Sequence, residues 1–262
     1  MTSDVQTASR AGRVVAVVYG AASYLVFLAS FLYAIGFVGN LVVPRTVDSA
    51  IDSTLPVAFA VDTLLLLAFA APHSVMARPA FKRWWARIVP PVVERSTYVL
   101  VSSLLLGLLF WQWRSIPAVV WHVEGPIGRS LLLAVFWAGW AIALLSTFLT
   151  DHFDLFGLRQ VWLFAAGRAH RPLAFRTRWL YRRVRHPLML GFLLAFWAAP
   201  TMTVGHLLFS AATTAYILIA LRFEERDLVA AHGESYRTYQ KRVGMLLPLP
   251  GPSKSPHESS AS

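Results

Sequence analysis

The sequence predicts an all-α polytopic integral membrane bundle: four spans, then a C-terminal helical hairpin and a cytoplasmic amphipathic helix. Three observations predict it. Hydrophobic residues make up 56% of the 262 positions, and the mean hydropathy is +0.55. Charged residues make up 14%, against about 25% in soluble domains. The apolar residues gather in runs long enough to cross a hydrocarbon core, which takes about 20 residues. The formal net charge of +11 then reads as arginine at the cytoplasmic ends of helices and not as a nucleic-acid surface. The chain has no cysteine, which excludes disulfides, thiolate metal sites and a cysteine nucleophile.

Residues 1–12 are polar and predict a disordered N-terminus. The first span is about Val14–Val38, closed by Gly39 and Asn40; with no cleavage pattern after it, it is a retained span. The second is about Leu55–Val75, the third about Thr97–Trp113, the fourth about Ile127–Thr150. These occupy an N-terminal membrane half, 13–150. The second half, 151–248, opens with a polar segment, 151–187. Its apolar block 188–221 is 34 residues long, too long for one crossing and short for two. It predicts a hairpin turning near Ala199–Thr203, its first arm lengthened by residues before Pro187. Residues 222–243 predict a charged amphipathic helix, and 249–262 a disordered tail.

Arginine and lysine placement sets the orientation. Segment 76–95 holds Arg78, Lys82, Arg83, Arg87 and Arg95; segment 151–187 holds eight arginines. The loops 39–54 and 114–126 hold one each, Arg45 and Arg114. Both termini are therefore expected in the cytoplasm of a multi-pass bacterial inner-membrane protein.

Ionisable groups inside spans are functional candidates, because burying each costs a few kcal/mol. Asp62 is placed to cap or pair near the external surface, His73 near the cytoplasmic interface. They share a helix face, roughly 16 Å apart. At the end of the fourth span, Thr150–Gly157 reads TDHFDLFG, with Asp151, His152 and Asp154 among phenylalanines. The next candidate stretch, Tyr181–Phe192, reads YRRVRHPLMLGF. Pro187 suits the first turn of a helix, Arg185 and His186 put polar groups beside that N-terminus, and Gly191 permits close approach of another group. Past the hairpin stand Glu224 and Glu225, then Tyr236 and Tyr239 on one helix face. Carboxylates hold hydroxyls or a cationic amine; tyrosines stack on a base or lie against a sulfonium.

In order, Arg185-His186-Pro187, an apolar hairpin, Glu224-Glu225-Arg226 with Leu228, Gly233, Tyr236, Tyr239 and Pro248 resemble the isoprenylcysteine carboxyl methyltransferase superfamily of membrane methyltransferases. Upstream, APHSVMARPAFKRWW and DHFDLFGLRQVW resemble its bacterial methanethiol S-methyltransferase branch. The resemblance implies S-adenosylmethionine on the cytoplasmic side, held by Tyr181, His186, Pro187, Leu188, Gly191, Glu224, Glu225, Tyr236 and Tyr239. Met189 stands where the superfamily often has an aromatic residue. The implied substrate is methanethiol, a small thiol arriving from the lipid bilayer, with dimethyl sulfide as product. No metal, nucleic acid or obligate protein partner is implied.

The chemistry needs alignment of nucleophile, methyl and leaving sulfur and a thiolate. His152, oriented by Asp151, or else His73 is the candidate base. Arg185, or Arg159, is the candidate for steadying the anion. The alternatives are a prenylcysteine-type carboxyl methyltransferase, which needs a long lipid tunnel, and a non-catalytic NnrU-like membrane protein.

Overall fold

The computed structural model describes residues 9–171 and 179–248. In chain order the helices and strands are α1 Arg10–Gly39, α2 Leu55–Ala77, α3 Pro79–Trp85, α4 Pro91–Gln112, β1 Val119–His122, α5 Pro126–Thr150, α6 His152–Leu155, α7 Leu158–Ala165, α8 Pro187–Trp197, β2 Thr201–Thr203, α9 Val204–His232 and α10 Glu234–Arg242. A 3-10 turn covers Trp179–Arg182. Among the described residues, α1, α2, α4, α5 and α9 are long and apolar enough to cross a membrane. Leucines such as Leu25, Leu32, Leu64, Leu67 and Leu131 stand exposed along them. In water such a surface would be an association site; in a bilayer it is the solvated one.

Helix starts follow local chemistry. Proline occupies the first turn of α2, α3, α4, α5 and α8, where its missing N–H has no partner to lose. Ser9 accepts a hydrogen bond from the Gly12 N–H at the start of α1, and Thr203 one from His206 at the start of α9. α1 stops at Asn40, which takes the left-handed conformation.

The loops sort to two ends of the bundle. At one end Ile51 bridges Arg114, β1 pairs antiparallel with β2, and Thr203 donates to Asp48. At the other, basic end, α7 packs on α1 and α4, and Val184 bridges Gly244. The described chain therefore begins and finishes at the same end. The four expected spans and the second arm of the hairpin are helices long enough to cross a membrane; the first arm of the hairpin is not. α8 has only 11 residues, about 16 Å, and leads through Ala198–Pro200 into β2.

The hairpin turns where expected, yet its first arm is not lengthened before Pro187. The N–H groups of Arg185 and His186 donate instead to Gly244 and Met245 carbonyls. The predicted amphipathic helix 222–243 is also corrected. α9 runs unbroken out of the span to His232, Gly233 takes φ +59°, and α10 is a separate helix. Residues 10–12, expected to be disordered, already belong to α1; residues 1–8 and the tail 249–262 lie outside the described residues.

α8 is held deep in the bundle by close backbone packing on α5. A Cβ at Gly191 would lie 2.6 Å from the Ala143 nitrogen and 2.6 Å from the Gly139 oxygen. Gly139 and Ala143 thus face Gly191 and Ala195, the small-residue spacing that lets membrane helices touch. Phe37, Phe110, Trp113, Phe136, Trp140, Phe196 and Phe209 fill the core toward the opposite end.

Candidate active site

At the basic end the hairpin brings Arg185 and His186, just before α8, against Glu225 on α9. Arg185 Nε donates to Glu225 Oε1 at 2.6 Å, and His186 Nε2 lies 3.2 Å from the same oxygen. Gln240 of α10 donates to Glu225 Oε2 at 3.0 Å. Arg185 Nη1 also donates to the carbonyls of Gln240 and Val243. The arginine side chain is only 9% exposed and that of Glu225 15%, so the pair is a buried clamp that ties α8, α9 and α10 together. Arg185 thus spends its Nε and Nη1 donors on Glu225 and on backbone carbonyls.

Around the clamp lies a half-open rim. Glu224 is half exposed, with one oxygen 3.8 Å from His186 Nδ1. Tyr236 is buried against Tyr239, ring centres 5.7 Å apart, and Tyr239 donates to the Tyr181 carbonyl at 2.5 Å. Burial pushes the Tyr181 and Tyr239 phenols up to about 12, and Tyr236 further in the same direction. All three stay protonated at neutral pH, as donors and stacking faces and not as bases. A carboxylate rim with tyrosine faces suits a ligand carrying an amine, a sulfonium, a diol and an aromatic base. Gly191 and Pro187 are taken up by helix packing and do not face this rim: both are buried, Gly191 against α5. Leu188 is half-buried on the first turn of α8.

Beneath the rim, inside the bundle, lies an apolar chamber of about 270 Å³. Phe27, Phe31, Phe69, Phe192, Phe196 and Phe209 are among the residues of its wall. Ser30, Ser103 and Thr213 line its middle, and further polar groups stand toward the basic end. His73 Nδ1 is 3.0 Å from Ser102 Oγ, and its Nε2 is 2.9 Å from the Tyr98 hydroxyl. Ser74 donates to the Tyr216 hydroxyl at 3.2 Å. Pro72 inside α2 removes one backbone hydrogen bond just before His73. Met189 also lines the chamber, two residues past Pro187. Glu224 lies within electrostatic reach of Tyr98 and Tyr181.

His152 sits elsewhere. Its Nε2 is 2.8 Å from the Tyr24 hydroxyl, its Nδ1 is 2.8 Å from Thr147 Oγ1, and its ring stacks on Phe148 at 4.3 Å. Burial lowers its pKa, which Asp151 only partly offsets. Both ring nitrogens have partners, and Phe156 stands between this ring and the chamber. Asp151 does not orient it: with φ +84° it ends α5, and its carboxylate accepts from the Asp154 N–H to start α6. Asp154 in turn holds Arg159 at 2.9 Å and His170 at 2.7 Å, so Arg159 is tied outside the chamber. Asp62 accepts from the Arg114 N–H at 2.8 Å, at the end opposite the rim as expected. Among the described residues no cluster of metal-ligating side chains occurs.

Tyr98, Ser102, Tyr216 and Gln240 escaped the sequence reading. Tyr98 and Ser102 left a weak signal, a polar i, i+4 pair within an apolar span. Nothing in the chain linked them to His73, which comes 25 and 29 residues earlier.

A bundle whose last hairpin and C-terminal helix close a charged rim over an intramembrane chamber has the architecture expected of the isoprenylcysteine carboxyl methyltransferase-like membrane enzymes. Relatedness narrows the class. The chain is 60% identical over 238 residues to a methanethiol S-methyltransferase of Mycobacterium tuberculosis, covering 91% of this chain and 98% of that one. It is 48% identical over 239 residues to a methanethiol S-methyltransferase of Crocosphaera subtropica, covering 91% and 94%. At greater distance, nurim of Sus scrofa is 30% identical over 186 residues, 68% of this chain and 70% of nurim. No protein-family model and no solved structure matches. The chain belongs to the methanethiol S-methyltransferase family.

Proposed function

We propose that the protein transfers a methyl group from S-adenosylmethionine to methanethiol, giving dimethyl sulfide, with the rim facing the cytoplasm. The observation that carries this reading is the nearness of two unlike sites at one end of the bundle: an apolar chamber with His73 toward that end, and a rim of Glu224, His186 and tyrosines. A volatile apolar thiol partitions into the first; a cationic, hydrogen-bonding donor suits the second. When bound, S-adenosylmethionine supplies a methyl group already activated on a sulfonium. The protein's part is then to align the sulfur and free it of its proton.

His73 takes that proton, with Tyr98 and Ser102 fixing its ring. His152, separated from the chamber by Phe156, instead braces α1, α5 and α6. Glu225, clamped by Arg185 and His186, keeps α8, α9 and α10 closed around the donor; Glu224 contributes the exposed carboxylate. The concentration of arginine at the rim's end of the bundle supports its cytoplasmic orientation.

Purified protein given methyl-labelled S-adenosylmethionine and methanethiol should release labelled dimethyl sulfide, read by gas chromatography. Label that stays in the donor under conditions where the donor binds overturns the reading.

A further inference from the structure

The chamber is much larger than the substrate named for this family's relatives. Methanethiol has two non-hydrogen atoms, which need about 60 Å³ at a water's share of roughly 30 Å³ each. The space is about 270 Å³. It is also long: on α4 its lining runs from Tyr98 to Phe110, about 18 Å of helix. The surplus lies on one side only. His73, Tyr98, Ser102 and Tyr216 mark the end under the rim, whereas the far end, bounded by Val38, Leu66, Leu109 and Phe110, carries no polar side chain. Water has little to bind there, so apolar chain is the occupant that the wall fits.

We propose that this chamber accepts straight-chain alkyl thiols well beyond methanethiol, with the sulfur at His73 and the tail running along Phe69 and Leu106 toward Leu109. The inference rests on the methyl-transfer reading above. The step balances in the same way. The thiol proton goes to His73, a bond forms between the sulfur and the donor's methyl carbon, and the carbon–sulfonium bond breaks with its electron pair returning to the donor sulfur. The products are a methyl alkyl thioether and the demethylated donor. At the same packing the chamber holds roughly nine non-hydrogen atoms, so acceptance should extend to thiols of about six to eight carbons and then end.

The test is a chain-length series, from methanethiol to dodecanethiol, given to the purified full-length protein with labelled S-adenosylmethionine. The expected result is turnover within tenfold of methanethiol's through hexanethiol, then a sharp fall. Ala34 borders the chamber on α1. Ala34→Leu should bring the cut-off to shorter thiols, lowering hexanethiol turnover at least tenfold relative to methanethiol turnover in the same variant. Leu66→Ala should move the cut-off to longer ones. Ethanethiol and propanethiol turned over a hundredfold more slowly than methanethiol would overturn the proposal while leaving methyl transfer to methanethiol intact. A cut-off unmoved in both variants would overturn it as well. Failure to methylate even methanethiol would instead sink the reading on which it rests.

Discussion

The rim at the basic end and the chamber beneath it are built on opposite principles. The rim is a closed network of charged groups: Arg185, His186 and Gln240 all converge on Glu225. The chamber is a space walled by aromatic rings with a few polar groups. A buried ion pair gives geometry and tolerates no missing partner; an apolar space tolerates changes of shape. The contrast teaches that the donor side should respond to substitution steeply and the thiol side gradually, except at His73.

The sharpest break in that comparison is Glu225→Gln. Removing the charge leaves Arg185 buried beside a neutral amide, a change that costs about 3–5 kcal/mol for a buried pair. Thermal unfolding in detergent should shift down, and binding of S-adenosylmethionine by calorimetry should weaken beyond detection. A variant as stable and as tight-binding as the parent would show that the clamp is incidental.

His73→Ala comes next. Loss of a positioned base lowers turnover roughly a hundredfold or more, with donor affinity unchanged because the chamber and not the rim is altered. Raising the pH should recover part of the rate, since more of the thiol is then ionised in solution. Unchanged turnover at neutral pH would leave the thiolate to come from solution.

A smaller effect is expected at His152, and it should be one of stability. His152→Ala strands the Tyr24 and Thr147 hydroxyls, costing about 1–3 kcal/mol, while turnover per folded molecule stays within a few-fold. The sign of its pH dependence follows from burial. The folded-state pKa lies below the ordinary value of about 6.5, so below that pH the unfolded chain binds a proton that the folded one resists. Stability should therefore fall as pH drops from about 6.5. This component should be missing in His152→Asn, as thermal unfolding across pH 5–7 would reveal.

The smallest change is Tyr239→Phe, which removes one hydrogen bond, to the Tyr181 carbonyl. It should cost about 1 kcal/mol and weaken donor binding only a few-fold. A hundredfold loss in calorimetry would mean that the hydroxyl meets the donor directly.

The membrane bundle, its long spans and the hairpin turn were legible in the sequence because hydrocarbon thickness and backbone hydrogen bonding leave few solutions to an apolar run. So was the membership of the rim. Arg185, His186, Glu224, Glu225, Tyr236 and Tyr239 lie within about 55 residues of chain, around one hairpin and the short helix that follows it, and consecutive elements tend to pack together. What tertiary structure alone decided is which polar groups are already engaged. Arg185 and His152 looked like free chemistry in sequence; one is bound to Glu225 and to backbone carbonyls, the other to Tyr24 and Thr147. Gly191 looked like room for a ligand and is filled by the backbone of α5. The chamber could not be read at all, because its wall draws on α1, α2, α4, α5, α8 and α9 together. Hydropathy tells a helix to enter the bilayer, but lipid tails are as apolar as the side chains, so which face meets a neighbour and which is left lining a space is settled by packing alone.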